Sequence, residues 1–337
     1  MHAMHRFEIP RRFPVGETIT TAELARRCNA NEEAITRLVQ HAVTKHFLAQ
    51  PEAGIISHTA FSAMMAAQPP ISDFVGYVCE DLRPAAACIP DALTKWPGLP
   101  HEPDKTGYNL ATGTAGTFWD SLAKNPEQSR RFASSMSFMQ RLPGWQPTAA
   151  LELFDWGALS TDAVVVDVGG GDGSFAIALS KRFPQLKYII VQDVPAVIEQ
   201  AIRAVPKPLR GIIKPQVADF FERQPVQGAA IYFLRKVLHD WPDEHAIRIL
   251  QQLVPALEPG ARILINDHCV PPHGTLSPIQ EWRIRGQDLA MMALFNSKER
   301  TTEQWKELIK RADQRFVIHS VTPMPPGPLA LIVVGWE

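Results

Sequence analysis

The sequence has few cysteines, no long apolar run and no excess of charge of either sign. Its four cysteines, Cys28, Cys79, Cys88 and Cys269, lie far apart and form no C-x-x-C pair, so neither a disulfide framework nor a zinc knuckle is indicated. We expect them to be reduced, buried thiols. Lys and Arg number 34 and Asp and Glu 35, so no chain-wide field would attract nucleic acid or an anionic membrane.

The N-terminal stretch from Met1 to Pro14 lacks the apolar core of a secretory signal. No segment approaches the roughly 18 apolar residues that a membrane helix needs. We therefore expect a cytoplasmic protein without a membrane or nucleic-acid partner. The chain has 337 residues, 45% of them hydrophobic, which is enough for about two domains with cores of their own.

Residues 1–150 are predicted to form a mainly helical domain. Residues 20–65 predict a helix, a short break, a second helix and an extended pair, which is the element order of a winged helix. The second helix begins with Glu32 and Glu33 and lacks a basic stripe, which favours a packing or dimerisation scaffold over a DNA reader. Residues 69–145 predict helices that are interrupted by prolines and rich in aromatic side chains and methionines, which are core by default and could also line an apolar pocket.

Residues 151–337 show short β-branched runs that alternate with helices, which predicts βαβ units and a mainly parallel sheet. We predict the parallel strands at Ala163–Val168, Tyr188–Gln192, Gly211–Val217, Ala229–Leu234 and Arg262–Asn266. The last two runs, Phe316–Val321 and Leu329–Gly335, have no helix between them and predict an antiparallel hairpin at one edge. The fold class is therefore α/β with a second, mainly helical domain.

The first predicted parallel strand, Ala163–Val168, leads into a glycine-rich loop followed by a helix, Phe175–Phe183. Gly169, Gly171 and Gly173 fit G-x-G-x-G, whereas the dinucleotide pattern G-x-G-x-x-G fails at Ser174. The second strand is followed by Asp193, about 20 residues on, where a carboxylate can accept both hydroxyls of an adenosine ribose. The third is followed by Asp219 and Phe220, an acceptor and an aromatic wall for adenine. Together these sites predict a nucleoside ligand at the carboxyl edge of the sheet.

A candidate acid–base group follows at the same edge. His239 comes after the fourth strand, Asp267 after the fifth, and Glu299 opens a predicted later helix. Histidine has the ordinary pKa best suited to a general base near neutrality, and a carboxylate on its other ring nitrogen fixes the tautomer. A metal cluster of His239, Asp243, His245 and His268 is an alternative, but no paired spacing such as H-E-x-x-H supports it, and we predict no metal.

These motifs resemble those of the fungal and plant-type S-adenosylmethionine-dependent O-methyltransferases, which act on phenolic and polyketide small molecules, and the fungal branch fits best. The resemblance rests on motifs spread over nearly the whole chain: the winged helix, Val166-Asp167-Val168-Gly169-Gly170-Gly171, Gln192-Asp193-Val194-Pro195, Leu238-His239-Asp240-Trp241-Pro242-Asp243, Ile265-Asn266-Asp267-His268, Phe295-Asn296-Ser297-Lys298-Glu299-Arg300 and 329–337. It implies a Rossmann-like class I methyltransferase domain at 151–337, and a winged-helix domain at 1–150 that dimerises and covers the substrate.

The resemblance also implies a cofactor, a reaction and a set of site residues. S-adenosylmethionine would be held by Asp167, Gly169, Gly171, Asp193, Asp219, Phe220 and Arg235. His239 matches the general base of the family, and Asp267 and Glu299 match its supporting acids. Phe132, Met136 and Met291 match positions that clamp a flat aromatic or polyketide acceptor, although helical spacing also explains each of them as a core residue. A homodimer is the expected assembly.

Two departures and three alternatives remain open at this stage. Relatives carry a longer N-terminal segment that swaps between subunits, which leaves truncation as an open question, and the plant branch commonly has Glu where this chain has Asp267. Some fungal relatives bind the same cofactor but catalyse pericyclic or dehydration reactions without methyl transfer. A winged-helix regulator that senses the cofactor, and an NAD-dependent oxidoreductase, are less compatible with the acidic second helix and the broken dinucleotide pattern, respectively.

Overall fold

The computed structural model describes residues 1–98, 101–325, 327 and 329–337. They form two compact units: unit 1 comprises Met1–Cys88 and Gly107–Gln140, and unit 2 comprises Ile89–Thr106 and Arg141–Glu337. The sequence places a single boundary at residue 150. In the structure, residues 89–106 and 141–150 instead belong to the C-terminal unit. The sequence does not show this, since a change in residue composition along the chain does not reveal which core a connecting segment joins.

The helices and strands are bounded as follows. The α-helices are α1 (His2–Arg6), α2 (Thr21–Arg27), α3 (Glu32–Thr44), α4 (Ala60–Ala67), α5 (Pro69–Gly76), α6 (Arg83–Ala87), α7 (Ile89–Lys95), α8 (Gly107–Thr112), α9 (Phe118–Lys124), α10 (Pro126–Met139), α11 (Ser174–Arg182), α12 (Pro195–Ala204), α13 (Asp243–Leu253), α14 (Pro278–Phe295) and α15 (Thr302–Ala312). The strands are β1 (Thr18–Thr20), β2 (Leu48–Glu52), β3 (Ile55–His58), β4 (Val164–Val168), β5 (Tyr188–Asp193), β6 (Ile213–Val217), β7 (Ile231–Arg235), β8 (Arg262–Val270), β9 (Arg300–Thr301), β10 (Phe316–Pro323) and β11 (Leu329–Trp336).

Unit 1 contains the predicted order of two helices followed by an extended pair. Thr20 caps α2 by accepting from the backbone N of Glu23, and Asn31 caps α3 by accepting from that of Ala34. Strands β2 and β3 form an antiparallel hairpin, and β1 joins them as a third strand next to β3. The core of these elements is built from buried apolar side chains such as Leu24 and Val39, which lie on the inner faces of the two helices.

Unit 2 is organised around a sheet with strand order β10-β11-β8-β7-β4-β5-β6, and β9 pairs with the end of β8. The five strands from β8 to β6 are parallel, and β11 and β10 are antiparallel. The predicted parallel strands and C-terminal hairpin are therefore confirmed, although Pro326 and Pro328 of its connection lie outside the described residues. Strand order reverses between β4 and β7, and such a switch point opens a crevice at the carboxyl ends of the strands.

The core of unit 2 explains why every residue of β4 except Asp167 is a valine. Val165, Val166 and Val168 are buried because the sheet is covered on both faces, as parallel sheets usually are. Phe175 of α11 stacks on Phe233 of β7 at a ring-centroid distance of 3.9 Å and fixes the helix against the sheet. None of the helices in the described part of the chain is both long and apolar enough to cross a membrane.

Three local expectations need correction. Strand β8 continues to Val270, so Asp267 lies inside the strand and not after it. Glu299 does not open a helix: β9 follows it, and α15 begins at Thr302 with Thr301 as its cap. The four cysteines are free as expected, but only Cys28 is fully buried, and the other three are partly exposed.

Candidate active site

The glycine-rich loop after β4 has the backbone shape that the motif predicts. Gly169, Gly171 and Gly173 have positive φ angles of 70°, 60° and 77°, a conformation that residues with a side chain rarely adopt. A Cβ atom on Gly169 would lie 2.8 Å from Cγ2 of Val237, so a larger residue here would require Val237 to move. Around Gly171 the space where a Cβ would lie is open. The loop therefore presents bare backbone to an open space at the start of α11.

Asp193 is joined to this loop by a hydrogen bond. Its Oδ2 accepts from the backbone N of Gly171 at 2.9 Å, and its Oδ1 accepts from that of Val194 at 2.8 Å. Burial raises the pKa of Asp193, and these two hydrogen bonds oppose the rise. Each carboxylate oxygen has a second lone pair, so the group keeps acceptor capacity for a ligand.

Asp219 and Phe220 line a pocket beside the same loop. Its walls include Val168, Gly169, Gln192, Ala218, Asp219 and Phe220. Oδ1 of Asp219 accepts from the backbone N of Phe221 at 2.8 Å, which orients the carboxylate. Trp241 meets the ring of Phe221 edge-on at a centroid distance of 4.6 Å and extends this aromatic wall. The predicted residues at the ends of β4, β5 and β6 are thus neighbours at one edge of the sheet.

Asp167 and Arg235 carry buried polar atoms that lack protein partners. Oδ2 of Asp167 and Nε of Arg235 have no hydrogen-bond partner among the described residues. Burial raises the pKa of Asp167 to about 7, although Arg235 opposes this effect. The guanidinium of Arg235 donates to the backbone carbonyl of Trp145, and burial lowers its pKa to about 10. Such unpaired buried groups are costly unless a ligand satisfies them.

The structure brings His239, Asp267 and Glu299 together. Nδ1 of His239 lies 3.1 Å from Oε1 of Glu299 and 3.8 Å from Oδ1 of Asp267. Oδ2 of Asp267 accepts from the backbone N of His239 at 3.2 Å, so this acid positions the main chain of the histidine. On the other side of the ring, Nε2 lies 3.4 Å from Oδ1 of Asp240 without forming a hydrogen bond.

The surrounding carboxylates make His239 strongly basic. Burial alone would lower its pKa, but Asp240, Asp267 and Glu299 together outweigh burial and raise it to about 10. Burial has the opposite effect on a carboxyl group and raises the pKa of Asp240 to about 6. For Glu299 the neighbouring His268 and His239 overcome burial and hold the pKa well below its usual range. The site therefore stabilises an imidazolium next to ionised acids.

The loop that carries His239 is held by the segment that carries Glu299. Oγ of Ser297 donates to the carbonyls of His239 and Trp241 at 2.7 and 2.8 Å. The guanidinium of Arg300, which is fully buried, donates to the carbonyl of Leu238 at 2.9 Å and to that of Trp241 at 2.8 Å. Neither residue had a predicted role, although both lie in the 295–300 motif and the charged side chain of Arg300 is a usable signal there.

His268 and Trp145 are further site residues that were not predicted to support the base, since His268 was named only as a candidate metal ligand. Nδ1 of His268 lies 3.0 Å from Oε1 of Glu299, at an angle outside hydrogen-bonding geometry, so neither ring nitrogen has a hydrogen-bond partner among the described residues. Its ring is 5.2 Å from that of His239 and 5.1 Å from that of Trp145. His268 adjoins Asp267 in the sequence, but no local pattern indicated Trp145.

The alternative metal cluster is not assembled as a set of four. Asp243 pairs with Lys298 at 2.7 Å and with Arg300 at 2.8 Å, and His245 stacks on Trp241. His239, His268 and Glu299 do present ligand atoms within 4.8 Å of one another. The absence of a metal therefore stays a prediction.

The three predicted acceptor contacts belong to different units. Phe132 and Met136 lie on α10 of unit 1, where Phe132 packs edge-on against Tyr77, Phe118 and Trp119 at centroid distances of 5.4 to 5.6 Å. Met291 lies on α14 of unit 2 and is buried. Phe132 and Met291 are explained by packing within their own units, and the role of all three residues toward an acceptor stays a prediction.

Comparison with known proteins gives one consistent family. A family model described as an O-methyltransferase domain matches residues 98–315. O-methyltransferase kk1A of Curvularia clavata is 34% identical to this protein. The alignment covers 100% of this chain and 78% of kk1A.

Two solved structures match nearly the entire chain. The structure of LepI in complex with SAM is 28% identical with a TM-score of 0.81, and the alignment covers 99% of this chain and 84% of LepI. A structure described as a pericyclic reaction enzyme is also 28% identical, with a TM-score of 0.82 over 99% of this chain and 86% of its own.

Proposed function

The chain belongs to the S-adenosylmethionine-dependent O-methyltransferases, and we propose that it methylates a hydroxyl of a phenolic or polyketide-type secondary metabolite with His239 as the general base. One observation carries this proposal. His239 is buried among three carboxylates in the turn that follows β7, at the switch point that also holds the glycine loop after β4. His239, the proposed proton acceptor, therefore lies next to the carboxyl edge of the sheet, where we place the nucleoside.

We assign the cofactor to the residues of that edge. The backbone of Gly169 and Gly171 would face it, Asp193 would accept from its ribose, and Asp219 and Phe220 would contact its adenine. Asp167 and Arg235 fit the same group, because each carries a buried polar atom that a ligand could satisfy. When bound, S-adenosylmethionine supplies a methyl group activated by its sulfonium sulfur.

The protein's own contribution is orientation and proton removal. Glu299 accepts from Nδ1 of His239, which leaves Nε2 as the atom that takes the proton of the acceptor hydroxyl. Asp267 fixes the backbone of His239, and Glu299 stabilises the imidazolium that forms. Holding the acceptor oxygen in line with the methyl group contributes much of the acceleration. Phe132, Met136 and Met291 are our candidates for the apolar walls that hold the acceptor ring.

A second candidate is a pericyclic or dehydration reaction in natural-product biosynthesis without methyl transfer. The similarity to a pericyclic reaction enzyme supports it. Against it stands the complete set of base and supporting acids, which methyl transfer uses and a cofactor held only for its charge would not need.

We also propose a cytoplasmic homodimer in which unit 1 is the winged-helix scaffold. The N-terminal turn of α3 carries Glu32 and Glu33, which disfavours contact with nucleic acid and is compatible with a packing role. Light scattering of the purified protein would give the mass of the assembly, and a monomer at micromolar concentration would contradict this part.

The reaction itself is tested by mass spectrometry of protein, S-adenosylmethionine and a panel of hydroxylated aromatic and pyridone-type acceptors. We expect S-adenosylhomocysteine together with an acceptor that has gained one methyl group, and no such pair with the His239→Asn variant. An acceptor that is rearranged or dehydrated while the cofactor stays intact would favour the second candidate.

A further inference from the structure

Lys236 has an unusual backbone conformation in the middle of the site. It directly follows β7 and has a φ angle of 55°, in the left-handed region that lysine rarely occupies. Its backbone N donates to the carbonyl of Asn266 in β8 at 3.0 Å, which holds the residue in place. Backbone strain of this kind costs free energy and concentrates at functional sites.

The ammonium group of Lys236 has no counter-ion close by. No carboxylate oxygen of the described residues lies within 4.0 Å of it, whereas Asp240, Asp267 and Glu299 act on it from farther away. Its Nζ lies instead over the ring of Trp145, 5.0 Å from the ring centroid. Burial, with a smaller effect of Arg235, lowers the pKa of Lys236 to about 8, so the amine is still mainly charged at neutral pH.

Trp145 connects this cation to the catalytic histidine. The carbonyl of Trp145 is fixed by Arg235, and its ring lies against His268, whose ring in turn neighbours that of His239. The successive centroid distances are 5.1 and 5.2 Å, so contacts between neighbouring rings connect the ammonium of Lys236 to the imidazole of His239.

We propose that Lys236 and Trp145 form an anion subsite of the acceptor pocket, which takes an aromatic acceptor with an ionised oxygen, carboxylate or acidic phenolate, remote from the hydroxyl that is methylated. This inference rests on the proposed methyl transfer. A partly desolvated ammonium without a close counter-ion among the described residues gains most from an anionic ligand, and an aromatic ring such as that of Trp145 favours an aromatic ligand beside it.

The orientation of Lys236 favours the acceptor over the cofactor as the ligand. Its backbone bonds to β8, the strand on the side of β7 away from β4, whereas the glycine loop follows β4. Its ammonium lies on the Trp145 and His268 side, where the base is. Binding of the carboxylate of the cofactor by Lys236 is the competing outcome that the experiment separates.

The test measures binding, so that it does not depend on turnover. Calorimetry at about pH 7, with S-adenosylhomocysteine bound, compares 2,4-dihydroxybenzoate with its neutral methyl ester, and ionised 4-nitrocatechol with catechol. The first pair tests a carboxylate and the second an acidic phenolate. The proteins are the wild type, Lys236→Met, and Lys181→Met, which makes the same change at an exposed lysine of α11.

We expect the wild type and Lys181→Met to prefer the anionic member of at least one pair, and this preference to fall about tenfold or more in Lys236→Met. No preference in the wild type, or a preference that Lys236→Met retains, would overturn the subsite. A loss of S-adenosylhomocysteine affinity in Lys236→Met as large as the loss of preference would assign the lysine to the cofactor instead.

The same compounds separate this proposal from the proposed reaction. Incubation of each with S-adenosylmethionine and mass analysis of the products reports methyl transfer independently of binding preference. Methylated product without an anion preference would refute the subsite and leave the reaction standing. A preference for the anion together with an acceptor that is rearranged without methylation would support the subsite and refute the proposed methyl transfer.

Discussion

Glu299 and His268 approach each other through one pair of atoms, with Oε1 of the acid 3.0 Å from Nδ1 of the imidazole. The same oxygen lies 3.1 Å from Nδ1 of His239. One carboxylate oxygen therefore faces two buried imidazoles, and both hold the pKa of Glu299 down against the effect of burial. The charge of Glu299 is thus central to the site.

Replacing Glu299 by Gln keeps its shape and removes its charge. We expect kcat to fall about 100-fold, because the imidazolium that forms on His239 loses its closest counter-charge, while cofactor affinity stays within about threefold. Steady-state kinetics and calorimetry with S-adenosylhomocysteine measure the two quantities. Glu307→Gln, an exposed change on α15, is the matched control, and equal kcat values in the two variants would contradict the role of Glu299.

The low pKa of Glu299 also predicts how the protein responds to acid. A carboxylate whose pKa is lower in the folded state stabilises the fold above its unfolded pKa, about 4.5, and this contribution is lost as pH falls through the folded pKa. The difference in melting temperature between wild type and Glu299→Gln should therefore shrink as pH is lowered below about 4.5. When both proteins also carry His268→Phe, the difference in their melting temperatures above pH 4.5 should be smaller, because one of the two imidazoles that lower the pKa of Glu299 is gone. A difference that does not change with pH would mean that Glu299 contributes by packing alone.

His239→Asn removes the proposed base while keeping a polar side chain. We expect turnover to fall about 100-fold to 10,000-fold, with cofactor affinity nearly unchanged, because the glycine loop, Asp193 and Asp219 follow other strands. Methyl transfer is followed by mass spectrometry, and His41→Asn on α3 is the control. Turnover at the wild-type rate would show that another group removes the proton.

The raised pKa of His239 predicts an alkaline pH profile. The base must be neutral to act, and its pKa in the free protein is about 10, so kcat/KM should rise steeply with pH from 7 to about 10. Asp240→Asn removes one of the three carboxylates that raise this pKa and should move the rising limb to lower pH. An unchanged limb in this variant would mean that the limb reports a different group.

Asp193→Ala tests the cofactor assignment. The variant loses the acceptor proposed for the ribose and the hydrogen bond that holds Gly171, so we expect S-adenosylhomocysteine to bind at least about tenfold more weakly. Calorimetry gives the affinity directly, and Asp162→Ala, an exposed change before β4, is the control. Equal affinities for the two variants would count against the assignment of Asp193.

The sequence predicted those features that depend on residue patterns within short segments of the chain. Alternating β-branched runs and helices predicted the five parallel strands, and the glycines at 169, 171 and 173 predicted a loop in the left-handed conformation that glycine favours. His239 was found because it follows a strand whose carboxyl end shares an edge with the glycine loop. These features depend on periodicity and on the polarity of parallel strands, which one sequence contains.

The features that the sequence did not predict depend on contacts between distant segments. Trp145 precedes the first strand of the sheet by almost 20 residues, and only the folded chain brings its carbonyl to Arg235 and its ring to Lys236. Glu299 was correctly paired with His239 but placed on the wrong element, because Thr301 and Gln304 form the capping box that starts the helix later. A cap competes with helical periodicity over a few residues, and periodicity alone does not resolve that competition.

The hydrogen bonds of Ser297 and Arg300 to the loop around His239 have a consequence for the way in which activity is lost. These two residues hold the main chain of the base, and Glu299 lies between them. A local opening that breaks this connection would displace the base and its supporting acid in the same event. Heat inactivation would then be a single first-order process with one activation enthalpy, and it would precede the melting of the sheet behind it.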